Sequence, residues 1–144
     1  MGKPRIRPIV LGLIQHQGHL FVSKGIDKVT DQAFYRFLGG GIDFGETSID
    51  ALKREFQEEI QAELTNIEYL TCLDNLFTCH GKPGHELIQL FRCDFVDPDF
   101  YHLDQTYTLI EGEDRHDAIW IPTDQVQAGV LNLVPENCHA YIYD

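Results

Sequence analysis

Three carboxylates crowd one short stretch of the chain. In "KREFQEEIQ", residues 53–61, Glu55, Glu58 and Glu59 stand three and four positions apart. On a helix that spacing sets them side by side, where like charges repel by roughly 0.2–0.5 kcal/mol per pair. A solvated acidic face would relieve the repulsion with Lys one turn along, but Glu59, Ala62 and Glu63 occupy those places. Uncompensated carboxylates at short range suit a hard divalent cation, which takes several oxygen ligands held rigidly.

The pattern around the acids is helical. In "TSIDALKREFQEEIQAEL", Ile49, Leu52, Phe56 and Ile60 recur at three and four. With Ile49 at zero, the other three fall within about 60° of it at 100° per residue. Glu58, Glu55 and Glu59 fall at about 180°, 240° and 280°, a separate carboxylate arc. Thr47 with Asp50 three residues on reads as a capping box, so Thr47 is the expected N-cap. Just ahead lies "LGGGIDFGET", with Gly39, Gly40, Gly41 and Gly45. A tight strand-to-helix turn accounts for one or two glycines; four suggest backbone that a ligand must approach closely.

These residues resemble the Nudix box, G-x5-E-x7-R-E-U-x-E-E-x-G-U, where U is bulky and apolar. Gly40, Glu46, Arg54, Glu55, Phe56, Glu58 and Glu59 all match it. Two positions depart: Gln61 stands where the family has Gly, and Ala62 is smaller than the usual aliphatic. Gln61 either adopts a left-handed conformation, at a cost of roughly 1 kcal/mol, or lets the helix run on. "YRFLGGGIDFGET" and "AIWIPTDQVQAG" are similar to the family's approach to the box and to its strand-and-helix ending.

The resemblance implies a Nudix-type α/β/α sandwich, an α+β fold around a mixed β-sheet, over a single domain, 1–144. It also implies hydrolysis of a pyrophosphate joining a nucleoside to another group, with Mg²⁺ (or Mn²⁺) as cofactor. Glu58 and Glu59 become expected metal ligands, Glu55 a ligand or the general base, and the Gly40 carbonyl a further ligand. Arg54 is expected to pair with Glu46 and fix the loop against the helix. Family members often draw another acid from a later loop, and "LIEGEDRHD" offers Glu111, Glu113 and Asp114, with Glu113 preferred. Arg36 is a candidate for a substrate phosphate, as is Lys24. Asn75 and Phe77 are candidates for bonding to and stacking on a base, and Glu86 for a further substrate contact. Triphosphates, nucleotide sugars, ADP-ribose and dinucleoside polyphosphates all stay open. Many members dimerise, which extends the expectation to a homodimer. Two other readings share the fold. An isopentenyl diphosphate isomerase would use a catalytic Cys, and a silent nucleotide sensor would lose box acids that this chain retains.

The rest of the chain bounds these expectations. A net charge of −12 argues against nucleic acid and anionic membrane surfaces as partners. "MGKPRIRPIVLGLIQHQG" starts like a signal peptide, but Gln15 and His16 break its apolar run, and a buried strand is the better reading. Gly2 is followed at position 6 by Ile6, where a myristoylation signal has Ser or Thr. The expected compartment is the cytoplasm. Cys72, Cys79, Cys93 and Cys138 show no CxxC spacing; Cys72 and Cys93 would face each other in a hairpin of 68–80 with 84–96, though free thiols are the stronger expectation.

The elements that must carry the box follow from punctuation and period. "IRPIVLGLI" and "HLFVSKG" read as a hairpin about "QHQG", and "YRFLGGG" as a strand. "IEYLTCLDNLFTCH" and "HELIQLFRCDFV" read as a second hairpin with a tip at "GKPG". "DPDFYHLDQTYTLIEGEDRHD" reads as irregular, "AIWIP" as a last strand carrying a core Trp120, "TDQVQAG" as a short helix and "PENCHAYIYD" as a final turn or two.

Overall fold

The computed structural model describes residues 3–142. Gly2 and the last two positions of "PENCHAYIYD" lie outside the described residues. Eight strands, β1 (Ile6–Leu13), β2 (Gln15–His16), β3 (His19–Ile26), β4 (Ala33–Gly41), β5 (Leu64–Cys79), β6 (Lys82–Phe95), β7 (Tyr107–Glu111) and β8 (Asp114–Pro122), form one sheet. Its order is β5-β6-β1-β4-β3-β8-β7, with β2 attached to β3. β1 and β6 run parallel and the other strand pairs antiparallel, so the sheet is mixed. Helix α1 (Ser48–Ile60) follows β4, and the short α2 (Thr123–Gln127) follows β8.

Alternation along β1 divides the core in two. Val10 joins Leu52 and Phe56 of α1, together with Phe21, Phe95 and Trp120. Ile9, Leu11 and Leu13 point the other way, to Val126 of α2 and to Leu133 and Cys138 of the C-terminal segment. Helical or irregular chain thus covers both faces of the sheet, in the three layers expected. All of Ile9 to Leu13 is buried, the near-continuous apolar run that a central strand requires.

That central position corrects the first hairpin. Only β2 turns back on β3, pairing Gln15 with Leu20 and His16 with His19. β1 itself lies between β4 and β6, because a strand buried on both faces also needs a neighbour on each edge. β4 is shared: its first half pairs β3 and its last residues, Leu38–Gly41, pair β1. The second hairpin is also displaced. His80 and Gly81, at φ 55° and 78°, form the turn, and Lys82, Pro83 and Gly84 already belong to β6. Two residues at positive φ match the twist of paired strands, so the tighter turn wins over "GKPG". In this register Cys72 opposes Gln89, Cys93 is buried elsewhere, and all four thiols are free. The acidic segment also hides β7, whose "YTLIE" pairs β8.

Thr47 caps α1 as its spacing predicts, its Oγ1 accepting from the Asp50 N–H at 3.2 Å. The buried face is rotated from the expected stripe. Ala51, Leu52, Phe56, Glu59 and Ile60 are buried while Ile49 is 37% exposed, because the helix leans toward β7 as well as β4. Gln61 ends the helix in the left-handed region (φ 57°, ψ 39°), its N–H donating to the Gln57 carbonyl at 3.1 Å. No helix among the described residues is long and apolar enough to cross a membrane.

Candidate active site

Arg54 fastens the loop to the helix. Its Nε and Nη2 donate to the two oxygens of Glu46 at 2.7 and 2.9 Å, a forked pair. Nη2 also donates to the Gly41 carbonyl at 2.9 Å, and the Asp43 N–H donates to Glu46 at 3.1 Å. The guanidinium holds the Glu46 carboxyl down at about 2, and the carboxylate in turn raises Arg54. One side chain therefore ties β4, the loop and α1 together, which is what positions the acids that follow it.

Those acids differ in environment. Glu59 is 7% exposed, Glu55 is mostly covered, and Glu58 stands 59% exposed at the rim. Burial, then the hydrogen bond and charge of Glu55, push the Glu59 carboxyl well above the usual range, with Glu111 and Glu58 adding repulsion. The Glu55 carboxylate lies over Gly40: a Cβ there would sit 2.5 Å from its oxygen, so any larger residue would displace the carboxylate. Gly39 is fixed differently, since at φ 154° an added Cβ would run into the Val10 carbonyl.

The donor set has the chemistry of a hard-cation site: carboxylate oxygens, one of them on the buried Glu59, beside glycine backbone. As they stand, no three acidic, His or Cys side chains among the described residues converge closely enough to hold a metal. Arg54 Nη1 draws Glu55 and Glu58 to itself at 3.0 and 3.3 Å, with Glu58 at the surface.

A cleft of about 340 Å³ opens over the acids. Gly40, Glu55, Glu59, Arg36 and Glu86 line it. Arg36 Nη2 meets Glu86 at 2.6 Å, and Asn75 donates to the same Glu86 oxygen at 3.1 Å. Glu86 is 4% exposed, so it is a buried anchor for Arg36 and Asn75 in the cleft wall. Of the loop acids the cleft receives Glu111, at the end of β7. Glu113, preferred from the sequence, sits exposed in the β7–β8 turn outside the cleft lining; Gly112 at φ 60° turns the chain before it. Asp114 is likewise exposed and outside the lining. Asn75 and Phe77 line a second cavity of about 440 Å³, which shares Arg36 with the first. Lys24 faces neither, and Trp120 is in the core, its Nε1 donating to the Phe100 carbonyl at 2.8 Å. Sequence reasoning passed over Arg7, which reaches the cleft beside Gly41. Its signal was the "RIR" at the start of β1.

Residues 3–141 match the family model of the NUDIX domain. The chain is 25% identical over 116 residues to NAD(P)H pyrophosphatase NUDT13, mitochondrial, of Mus musculus, covering 74% of this chain and 32% of that protein. It is 34% identical over 67 residues to NAD-capped RNA hydrolase NudC of Pseudomonas putida (strain W619), covering 46% of this chain and 24% of that one. The chain therefore spans a third or less of the length of these relatives. Among solved structures it is similar to a NUDIX hydrolase from Nitrosomonas europaea, with a TM-score of 0.61, 19% identity, and coverage of 91% and 82% of the two chains. It is also similar to a UDP-X diphosphatase, with a TM-score of 0.59, 17% identity, and coverage of 93% and 57%. At these identities the likeness is one of fold.

Proposed function

The chain belongs to the NUDIX family, and on that premise we propose that it is a divalent-metal-dependent pyrophosphohydrolase acting on a nucleoside diphosphate derivative. The reading rests chiefly on the neighbouring carboxyls of Glu55 and the buried Glu59, which line one cleft beside the Gly40 backbone. The names of the curated relatives, both acting on compounds of the NAD type, add support for the substrate class.

Glu55, Glu58 and Glu59, with the Gly40 carbonyl, are the groups that would hold Mg²⁺ or Mn²⁺. When bound, such an ion neutralises phosphate charge and acidifies water. Arg54 keeps the acids in register by holding the loop through Glu46. Arg36, fixed by Glu86, meets a phosphate oxygen from the far wall. Glu111 lines the cleft and has no ion pair among the described residues. It is therefore placed to take a proton from the attacking water. The water oxygen bonds to phosphorus, the bond to the bridging oxygen breaks, and two phosphate products leave.

The test is product release from a panel of nucleoside diphosphate compounds with Mg²⁺ or Mn²⁺, run beside Glu58→Gln. Metal-dependent turnover of one class, lost in the variant, is the expected result. Tight nucleotide binding with no turnover of any compound would overturn it in favour of a sensor.

A further inference from the structure

The second cavity, which holds the Asn75 and Phe77 that the sequence offers as base contacts, has a construction that the sequence does not reveal. Phe34 in β4 pairs directly with Gly25 in β3, and Phe77 in β5 pairs directly with Gly84 in β6. In each pair the ring lies across the glycine, in space a Cβ would otherwise fill. Both rings are half-buried, and both line the same cavity of about 440 Å³. A ring laid on a cross-strand glycine is held in place on one face before any ligand arrives, which lowers the ordering cost of binding. The two pairs come from different hairpins, so one fold feature does not explain both.

The remaining lining supplies recognition chemistry. The amides of Asn75 and Asn132 border the cavity, each able to donate and accept. Arg36 lines this cavity and also the acidic cleft, and the buried Glu86 carboxylate fixes its guanidinium between them at 2.6 Å. Two ring faces, two amides and one cation at the boundary suit a flat heteroaromatic group carrying a phosphate.

We propose that the cavity lined by Phe34 and Phe77 is the nucleobase site, with Arg36 holding the phosphate that joins the base-bearing end to the cleft. This rests on the hydrolase reading and deepens it. The substrate must carry a nucleoside, which excludes non-nucleoside polyphosphates, and the base is read by stacking more than by its edges. Gly25 and Gly84 are specificity positions, because a methyl at either pushes a ring into the space the base needs.

The probe is binding of AMP, GMP, CMP and UMP in EDTA, against ribose 5-phosphate, by calorimetry. Base stacking of this kind makes at least one nucleotide bind about tenfold or more tighter than ribose 5-phosphate. That preference falls toward unity in Phe77→Leu and in Phe34→Leu. In the unaltered protein, the Phe ring proton resonances shift with the nucleotide and not with the sugar phosphate, whether or not the variants fold. Equal binding of all five compounds, or a preference that survives both substitutions, overturns the proposal. Because no metal or turnover enters, a failure of the hydrolase reading leaves this result separately readable.

Discussion

Glu59 and Glu46 are both glutamates of the box, yet their surroundings drive them in opposite directions. Burial pushes Glu59 up, while Arg54 holds Glu46 at about 2, below its ordinary 4.5. A carboxyl lowered by folding stabilises the protein fully above about 4.5 and loses that contribution as pH falls toward 2. In Glu46→Gln, stability at neutral pH should be lower, and the slope of urea-unfolding free energy against pH between 4.5 and 2 should be shallower than in the unaltered protein. An unchanged slope would mean that Arg54 does not lower Glu46. The proton-acceptor role proposed for Glu111 separates from metal holding in the same manner. Glu111→Gln should cut kcat by about 10²–10⁴-fold, while metal still raises the melting temperature. Glu59→Gln should instead abolish that metal-dependent rise. The box acids could be placed from spacing alone, because a helix converts sequence distance into spatial distance. Glu111 against Glu113 could not, since one residue of register in a hairpin decides which side chain meets the cleft and which meets water. Arg7 and Phe34 escaped for a similar reason: their importance comes from strands that are remote in sequence.

The loop and helix that carry the box depend on a few backbone positions. Gly40→Ala would place a methyl against the Glu55 carboxylate, so turnover should fall sharply while the fold, read by circular dichroism, persists. Unchanged turnover would show that the acid has room to move. Gln61 is the opposite case, a side chain where the backbone would accept glycine. Relief of its left-handed conformation, less the extra freedom of the unfolded chain, predicts that Gln61→Gly stabilises by up to about 0.5 kcal/mol. A urea midpoint that stays put would locate the helix end elsewhere. α1 was readable because its period, cap and length agree. The strands were readable as strands, but their partners were not, because pairing is a choice among edges that no local pattern records. β1 shows this: its buried run announced a central strand, yet the neighbouring "HLFVSKG" suggested a hairpin that only β2 completes. β7 was concealed by acids on both sides of a short β-rich run.

Taken whole, the molecule opposes the ligand proposed for it. With 23 acidic residues against 11 Lys and Arg, its net charge of −12 repels a diphosphate as it approaches. Cations line the cleft at Arg7 and Arg36, and the second of these is already paired with Glu86. Two effects of salt then compete. Screening weakens the attraction of Arg36 for a phosphate, but Arg36 is half-buried and inside a cleft. The distant surface acids act through water, and at 0.1 M salt their field is cut off beyond about 10 Å. The long-range repulsion should therefore be lost first. With metal held saturating, kcat/KM should rise as a neutral salt goes from low concentration to about 0.1 M, and kcat should change little. The usual steered enzyme shows the reverse, a rate that falls with salt. Stopped-flow or initial-rate measurements across that range decide it: a monotonic fall would mean that the local field of Arg7, Arg36 and bound metal already outweighs the acidic surface.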